Sequence, residues 1–470
     1  MRKNTPLLAL ITIGAFCGSC PAEAQSPAPP TLAPLTLSQI TDLAIQSSPA
    51  LSAARQNVTQ AQARVGQAQA GRRFQITFNS TASLSNAGVY QPPPSQETFG
   101  TLQNTITVPL PLGKRPGLAV TQAQAQRGAI AAQLDSARLA LAGQTAIAYY
   151  DLLRKQALLA VAQETLTEDL RALSDARKRN QAGDAAQIDV LQAQVPVAAA
   201  QAALDGAEND LAVAREALNS LIGRPLDDPL TLADVDPSSL ALPYTLSQAQ
   251  EFALSRSPDL RAAEAAIQAD QAALAAARLY REPVVSLQAI DIRSKDVTSF
   301  RSEDTVQAAV TLPLADGGLG RAQVQEAQAA LAGAEAQREA IRRQAFANVS
   351  AAYLTAESRR RQIDAARTSQ DIAQITYDKT TLGYRNGLFP LLQVLTARAA
   401  LTQARITYTQ AVYDAAAASS ALSNEFEGAT PTASLETSPA PSALTAPPTG
   451  ANRTSPAGAG GANAGGRGAP

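Results

Sequence analysis

The stretch Thr101-Leu102-Gln103-Asn104-Thr105-Ile106-Thr107-Val108-Pro109-Leu110-Pro111-Leu112-Gly113 decides the architecture. Leu102, Ile106, Val108 and Leu110 fall on even positions, and Thr101, Gln103, Thr105 and Thr107 on odd ones. Successive strand side chains point to opposite faces, so this alternation predicts a strand with one apolar and one uncharged polar face. Pro109, Pro111 and Gly113 end it. Residues 117–180 then run without proline and are rich in Ala, Gln and Leu. At 1.5 Å per residue such a helix is about 95 Å long. A strand therefore passes directly into a helix far longer than a compact domain needs.

The pattern recurs on both sides. Upstream, Phe74, Ile76, Phe78, Ser80, Ala82 and Leu84 alternate with Gln75, Thr77, Asn79, Thr81, Ser83 and Ser85. Downstream, Val306, Ala308, Val310 and Leu312 alternate with Thr305, Gln307 and Thr311. The stretch from Val284 to Arg293 is less regular and predicts a bulge. Alternating segments of about ten residues suit a transmembrane barrel with a polar lumen. They equally suit a sheet with one face on a soluble core. Four strands cannot close a barrel, for which about eight is the practical minimum. Several chains are needed, and three supply twelve strands.

Working outward, the whole chain is duplicated. Thr36-Leu37-Ser38-Gln39 returns as Thr245-Leu246-Ser247-Gln248, and Ser48-Pro49-Ala50-Leu51 as Ser257-Pro258-Asp259-Leu260. Val108-Pro109-Leu110-Pro111-Leu112-Gly113 returns as Leu312-Pro313-Leu314-Ala315-Asp316-Gly317. Ala182-Gly183 returns as Asn386-Gly387, and Val190-Leu191-Gln192-Ala193 as Val394-Leu395-Thr396-Ala397. The offset drops from 209 to 204 residues between the early and late pairs, which puts a five-residue loss inside the strand segment. Each half reads as short helices, two strands, one very long helix, a turn and a second long helix.

In the first half, helix is predicted near 36–72, capped by Thr36 or Ser38 and broken at Pro49. A further helix follows the Gly183 turn as far as Ile222, where Gly223-Arg224-Pro225 stops it. Pro196 should kink that helix or mark a junction. The second half repeats this near 245–281, 317–382 and 388–425. The resulting organisation is a leader at 1–24, a first repeat at 35–224, a linker at 225–244, a second repeat at 245–426, and a Pro/Ala/Gly/Ser-rich tail at 427–470. Such a tail cannot bury enough apolar surface to order itself.

Composition narrows the function. The 470 residues carry 39 Lys+Arg against 40 Asp+Glu, which offers nothing to nucleic acid. There is no His, Met1 is the only Met, and the two Cys are Cys17 and Cys20. A mature chain that loses the leader keeps none of these three residue types, which excludes His- or Cys-based catalysis and calls for no metal or cofactor. No Gly-rich phosphate loop is present either, so the chain does not read as an enzyme. Arg2 and Lys3, the short apolar run to Phe16, and Ala22-Glu23-Ala24 form an export signal. Gly18-Ser19-Cys20 also resembles the end of a lipoprotein box, which makes Cys20 a candidate lipidation site.

Taken in order and twice over, these elements resemble the TolC-like outer-membrane efflux proteins across residues 35–425. Leu112-Gly113-Lys114-Arg115 additionally resembles the branch that serves heavy-metal exporters. The resemblance implies a mainly α fold with a transmembrane β part. It implies a homotrimer with a twelve-stranded barrel in outer-membrane lipid and a twelve-helix tunnel in the periplasm. It also implies a periplasmic adaptor and an inner-membrane transporter as partners. By the same resemblance, Gly183 and Asp184 with Asn386, Gly387 and Leu388 form the hairpin tips that meet the adaptor. Asp189 and Tyr384 match gate positions, and Gln393 and Thr396 replace the family's second-half gate acids. Read without the family, Asp189 is a carboxylate near a helix N-terminus, where the dipole favours it. The competing class is a periplasmic coiled-coil adaptor or scaffold, which would be equally Ala/Gln-rich but would have one hairpin instead of two equivalent halves.

Overall fold

A computed structural model of the chain describes residues 34–89, 95–240, 242, 244–295 and 299–426. The leader, Cys20 and the tail at 427–470 lie outside these residues. The first half holds α1 (Leu37–Ser47), α2 (Pro49–Ala70), β1 (Thr77–Val89), β2 (Ser95–Leu110), α3 (Arg115–Gln181) and α4 (Gln187–Ile222). The second holds α5 (Leu246–Arg256), α6 (Pro258–Arg278), β3 (Val284–Lys295), β4 (Phe300–Thr311), α7 (Leu319–Arg385) and α8 (Leu391–Phe426). The duplication extends to element lengths. Helices α3 and α7 have 67 residues each, and α4 and α8 have 36 each. The strands have 13 and 16 residues in the first half against 12 and 12 in the second, so the second half is shortened in its strands.

The repeated tetrapeptides are helix caps. Thr36 accepts from the Gln39 N–H while the Gln39 side chain accepts from the Thr36 N–H at 3.0 Å, and Thr245 with Gln248 does the same. Ser48 and Ser257 accept from the N–H groups of Leu51 and Leu260, each with proline in the first turn that follows. Both devices satisfy N–H groups that a helix start leaves orphaned. Thr36, not Ser38, is the capping residue. Helix α4 runs as one element through Pro196, so the junction allowed for there does not occur.

The four strands form one antiparallel sheet in the order β1-β2-β3-β4. Strand β3 keeps an unbroken register with both neighbours, so it has no bulge. Its irregular pattern is a matter of composition, because Asp291 and Arg293 fall in line with the apolar side. The helices continue the sheet's order. In the part nearer the sheet α2, α3, α6 and α7 lie side by side, and nearer the turns the layer is α4, α3, α8 and α7. Strand β1 thus leads on from the α2/α4 column, β2 into α3, β3 from the α6/α8 column and β4 into α7. One edge of the whole layer is β1 with α2 and α4, and the other is β4 with α7.

The segment between the halves is packed into the body. Leu35 bridges Leu232, and Leu232 joins Ile40, Leu152 and Leu218 in one apolar cluster. The Tyr149 hydroxyl donates to the Ala233 carbonyl at 2.6 Å, and Tyr413 donates to Asp234 Oδ1 at 3.0 Å. Burial pushes the Tyr149 phenol up to about 12, so it stays a proton donor at any physiological pH. The segment is therefore pinned to both α3 and α8.

Candidate functional site at the barrel face and the hairpin tips

The register places whole rows of side chains on each side of the sheet. One side carries Phe78, Ile106, Ala289 and Val306 in a row, then Val108, Leu287 and Ala308, then Leu110, Val285 and Val310. These rows are uncovered: Phe78 is 65% exposed, Val306 83% and Val310 66%. Among the described residues no core lies against this side, which goes against a sheet seated on a soluble core. The opposite side carries Asn79, Thr105, Ile290 and Thr305, then Thr77, Thr107, Gln288 and Gln307.

The apolar side is not apolar throughout, and here the reading of an unbroken even-numbered face is corrected. The next row toward the β1–β2 loop is Ser80, Asn104, Asp291 and Asp304. Ser80 donates to Asn104 Oδ1 at 2.7 Å, Asn104 donates to Asp291 Oδ2 at 3.0 Å, and Arg293 donates to Asp291 Oδ1 at 3.3 Å. Arg293 and Lys295 follow on the same side. Leu102, Leu84 and Phe300 return on this side beyond the row, so the row interrupts the apolar band with groups that lipid cannot satisfy and a headgroup layer can.

At the junction below the strands, the Glu282 carboxylate accepts from the Lys114 N–H at 2.7 Å and the Arg115 N–H at 3.4 Å. It thereby caps α3 from the other half of the chain. A Cβ at Gly113 would collide with this carboxylate, at 2.0 Å. Gly113 of the Leu112-Gly113-Lys114-Arg115 motif thus has a structural explanation.

At the far end the two helical hairpins turn at Gly183 and Gly387, whose φ values of 84° and 72° lie in the region that favours glycine. Asp184, Asn386 and Leu388 are exposed beside them. Asp189 sits half-buried in the first turn of α4. Gln393 and Thr396 are exposed on α8, and the Thr396 hydroxyl turns back to the Leu392 carbonyl at 2.8 Å. The hairpins meet through Leu173, Ala176, Val190, Ala193 and Leu391, with Tyr384 and Leu395 against them. Tyr384 lies under the Arg179 guanidinium, 4.5 Å from ring centroid, and Arg179 also donates to the Tyr384 carbonyl at 3.3 Å. The Tyr384 hydroxyl is buried with no hydrogen-bond partner among the described residues. The hairpins are therefore held by this apolar cluster together with the ring and guanidinium, and the phenol hydroxyl takes no part.

The sequence pattern described as "Outer membrane efflux protein" matches residues 40–224 and 250–424. The chain belongs to that family. It is 28% identical over 384 residues to the pyoverdine export outer membrane protein OpmQ of Pseudomonas putida, a match covering 78% of this chain and 81% of OpmQ. It is 27% identical over 287 residues to the outer membrane efflux protein BepC of Brucella suis, covering 60% of this chain and 62% of BepC. Among solved structures, CusC aligns with a TM-score of 0.74 at 22% identity, covering 83% of this chain and 91% of that one. The outer-membrane channel OprN aligns with a TM-score of 0.70 at 20% identity, covering 84% and 90%. At such identities the structural matches establish the fold, and the relatives do not gather in a metal-export branch. This efflux protein is an outer-membrane channel with a periplasmic helical extension, and not an enzyme. Family membership implies, in general terms, trimeric assembly and tripartite partners.

Behind the hairpin tips of this efflux protein lies a cluster that the sequence did not disclose. Arg398 on α8 has only 3% of its surface exposed. Its Nη2 donates to the Thr165 carbonyl at 2.8 Å, and its Nη1 lies 2.8 Å from Asp169 Oδ1. Glu168 is 3.8 Å from Arg398 Nε and 3.4 Å from Arg405 Nη1, and Glu164 is 3.2 Å from Arg405 Nη1. Arg405 Nη2 also donates to Gln374 of α7 at 3.0 Å. The cluster ties α3 of one hairpin to α7 and α8 of the other. Burial pushes the Asp169 carboxyl above the usual carboxylate range, Arg398 opposes that shift, and Glu168 adds to it. Charged residues on an Ala-rich helix read as solvated in sequence, and only the packing of α3 on α8 buries them.

Proposed function

We propose that this protein is the passive outer-membrane conduit of a tripartite export system, working as a homotrimer with a periplasmic adaptor and an inner-membrane transporter. The observation that carries the reading is the open layer. One sheet with two unpaired edges and an uncovered apolar side cannot persist alone in water or lipid. Three copies joined β4 to β1 close it into twelve strands, the apolar rows facing lipid and the Thr/Gln/Asn rows a polar lumen. The transporter supplies the energy and most substrate selection. Mass analysis of the detergent-solubilised, cross-linked protein is expected to give a trimer. A stable monomer that extracts without detergent would end the reading in favour of a scaffold protein.

The hairpin tips are the proposed mouth and adaptor contact. Gly183, Asp184, Asn386, Gly387 and Leu388 form the turns, and Leu388 is 73% exposed. With Phe389 and Leu392 also exposed beside it, it makes an apolar patch at the turn that suits a protein partner better than water. With threefold symmetry Asp189 presents one carboxylate per chain, Gln393 and Thr396 add uncharged groups, and Tyr384 holds the hairpins together. The double variant Asp189→Ala with Tyr384→Ala, which removes the ring under Arg179, is expected to raise single-channel conductance in planar bilayers and to weaken block by divalent cations from the periplasmic side. Unchanged conductance and block would make these residues ordinary tip groups.

A further inference from the structure

We propose that the crossings between sheet and helices form a cationic belt that gathers anionic phospholipids in the leaflet facing the periplasm. This rests on the outer-membrane location and on the lipid-facing apolar side of the sheet, not on the number of copies. Each of the four crossings carries exposed cations. Arg72 and Arg73 stand between α2 and β1, and Lys114 and Arg115 lead from β2 into α3. Arg278 ends α6, and Arg281 follows it before β3. Arg321 lies in the first turn of α7. Among the described residues none of these side chains is in an ion pair.

The acids at the same level are occupied by backbone. Glu282 accepts from the Lys114 and Arg115 N–H groups, and Asp316 accepts from Gly318 at 3.1 Å and Gly320 at 2.8 Å. In the first half no acid occurs between Asp42 and Glu97, nor between Glu97 and Asp135. The helix dipole does not account for these cations either. It favours anions at a helix N-terminus, yet Lys114, Arg115 and Arg321 stand at the starts of α3 and α7, and neither first turn holds an acid. Cations set against the local field point to an anionic partner outside the chain.

The apolar band ends at this level. Leu110, Val285 and Val310 form its last row within the sheet, and Phe74, Leu112 and Leu314 are exposed beside the crossings. Acyl chains cover such a band, and the next layer is the headgroup phosphates. Lys and Arg reach that layer with their heads while their stems stay on apolar surface. The loop end of the sheet is different. There Arg293, Lys295 and Arg301 are offset among the described residues by Glu97, Asp291, Glu303 and Asp304. Uncompensated positive charge is thus confined to the periplasmic end, where lipid phosphate fixes the depth of the channel.

The chain has no Trp, so Leu110→Trp is a single reporter of the lipid around the crossings. In the full-length protein in mixed vesicles, brominated phosphatidylglycerol is expected to quench it with an association constant about threefold above that of brominated phosphatidylcholine. Salt at about 0.5 M should bring the ratio toward one. Arg72→Gln, Arg73→Gln, Lys114→Gln and Arg115→Gln together should abolish the preference. Arg342→Gln with Arg343→Gln, farther along α7, should leave it unchanged. Equal quenching by the two lipids in the reporter protein overturns the belt, as does a preference that survives the four replacements or is lost equally in the α7 control. These results leave the channel and its trimer in place. A reporter quenched by neither lipid overturns the lipid-facing side itself.

Discussion

Replacing Arg398 by alanine is expected to cost about 3–5 kcal/mol, because it strands Asp169 in a buried place with its partner gone, while Glu168 keeps Arg405. Few other single changes in the helical part should cost as much. The surface pairs, such as Arg343 with Glu339 at 3.1 Å, are exposed and are worth about 0–1 kcal/mol each. The loss should be local. Amide hydrogen exchange should accelerate along α3 near Thr165 and Asp169 and along α8 near Arg398, while the β-sheet stays protected. Asp169→Asn should cost less, since Glu168 and the Thr165 carbonyl still face the guanidinium. Replacing the pair together, Arg398→Met with Asp169→Leu, should recover most of the loss, since an apolar pair of similar volume needs no desolvation of charge. The pH dependence has a definite sign. A carboxyl raised in the folded state favours folding when protonated. The contact between the hairpins should therefore be strongest below the ordinary carboxylate range and weaken as pH rises through the raised Asp169 value. Exchange rates for Arg398→Ala within twofold of the parent would show that the cluster holds nothing together.

Ile106→Arg is expected to cost about 2–4 kcal/mol per chain, the penalty of a cation near the middle of a lipid-facing band. Gln103→Arg, on the other side of the same strand, should be tolerated and should change conductance. The polar row sharpens the test. Asn104 points to the same side as Ile106, yet it lies in the row that joins Ser80 to Asp291. Asn104→Arg should therefore cost much less than Ile106→Arg, on the order of 0–1 kcal/mol, as expected near a membrane interface. Folding yields into bilayers of defined thickness measure the difference. Equal penalties at Ile106 and Gln103 would mean that the faces are wrongly assigned. Equal penalties at Ile106 and Asn104 would mean that the polar row does not lie in a headgroup layer.

Much of this protein is legible without coordinates, and the reasons are local. Thr36 with Gln39 and Thr245 with Gln248 declare helix starts because a cap acts over three residues. The alternation around Ile106 declares a two-faced strand because the pleat repeats every two residues. The long runs after Lys114 and Gly318 declare helices because neither contains a breaker, apart from a proline at the very start of the first. The duplication, the two turns and the family follow from the order of these local signals.

Other features were settled only by what came to lie beside what. Asp291 made β3 look irregular, and the register shows instead that it completes a row with Asn104, some 187 residues away in sequence. Glu282 gave no sign that it would cap α3 across the duplication. Tyr384 was legible as a tip aromatic, but its bond to Arg179, and the idleness of its hydroxyl, depended on how the hairpins meet. Arg398 and Asp169 read as two surface charges until α8 was laid against α3. The physical reason is common to these cases. Periodicity and capping are encoded within a few residues, so the sequence by itself determined the elements, their order and the family. The energy of a charge or a phenol depends on the solvent it loses and the partner it gains, and only the tertiary structure decided those.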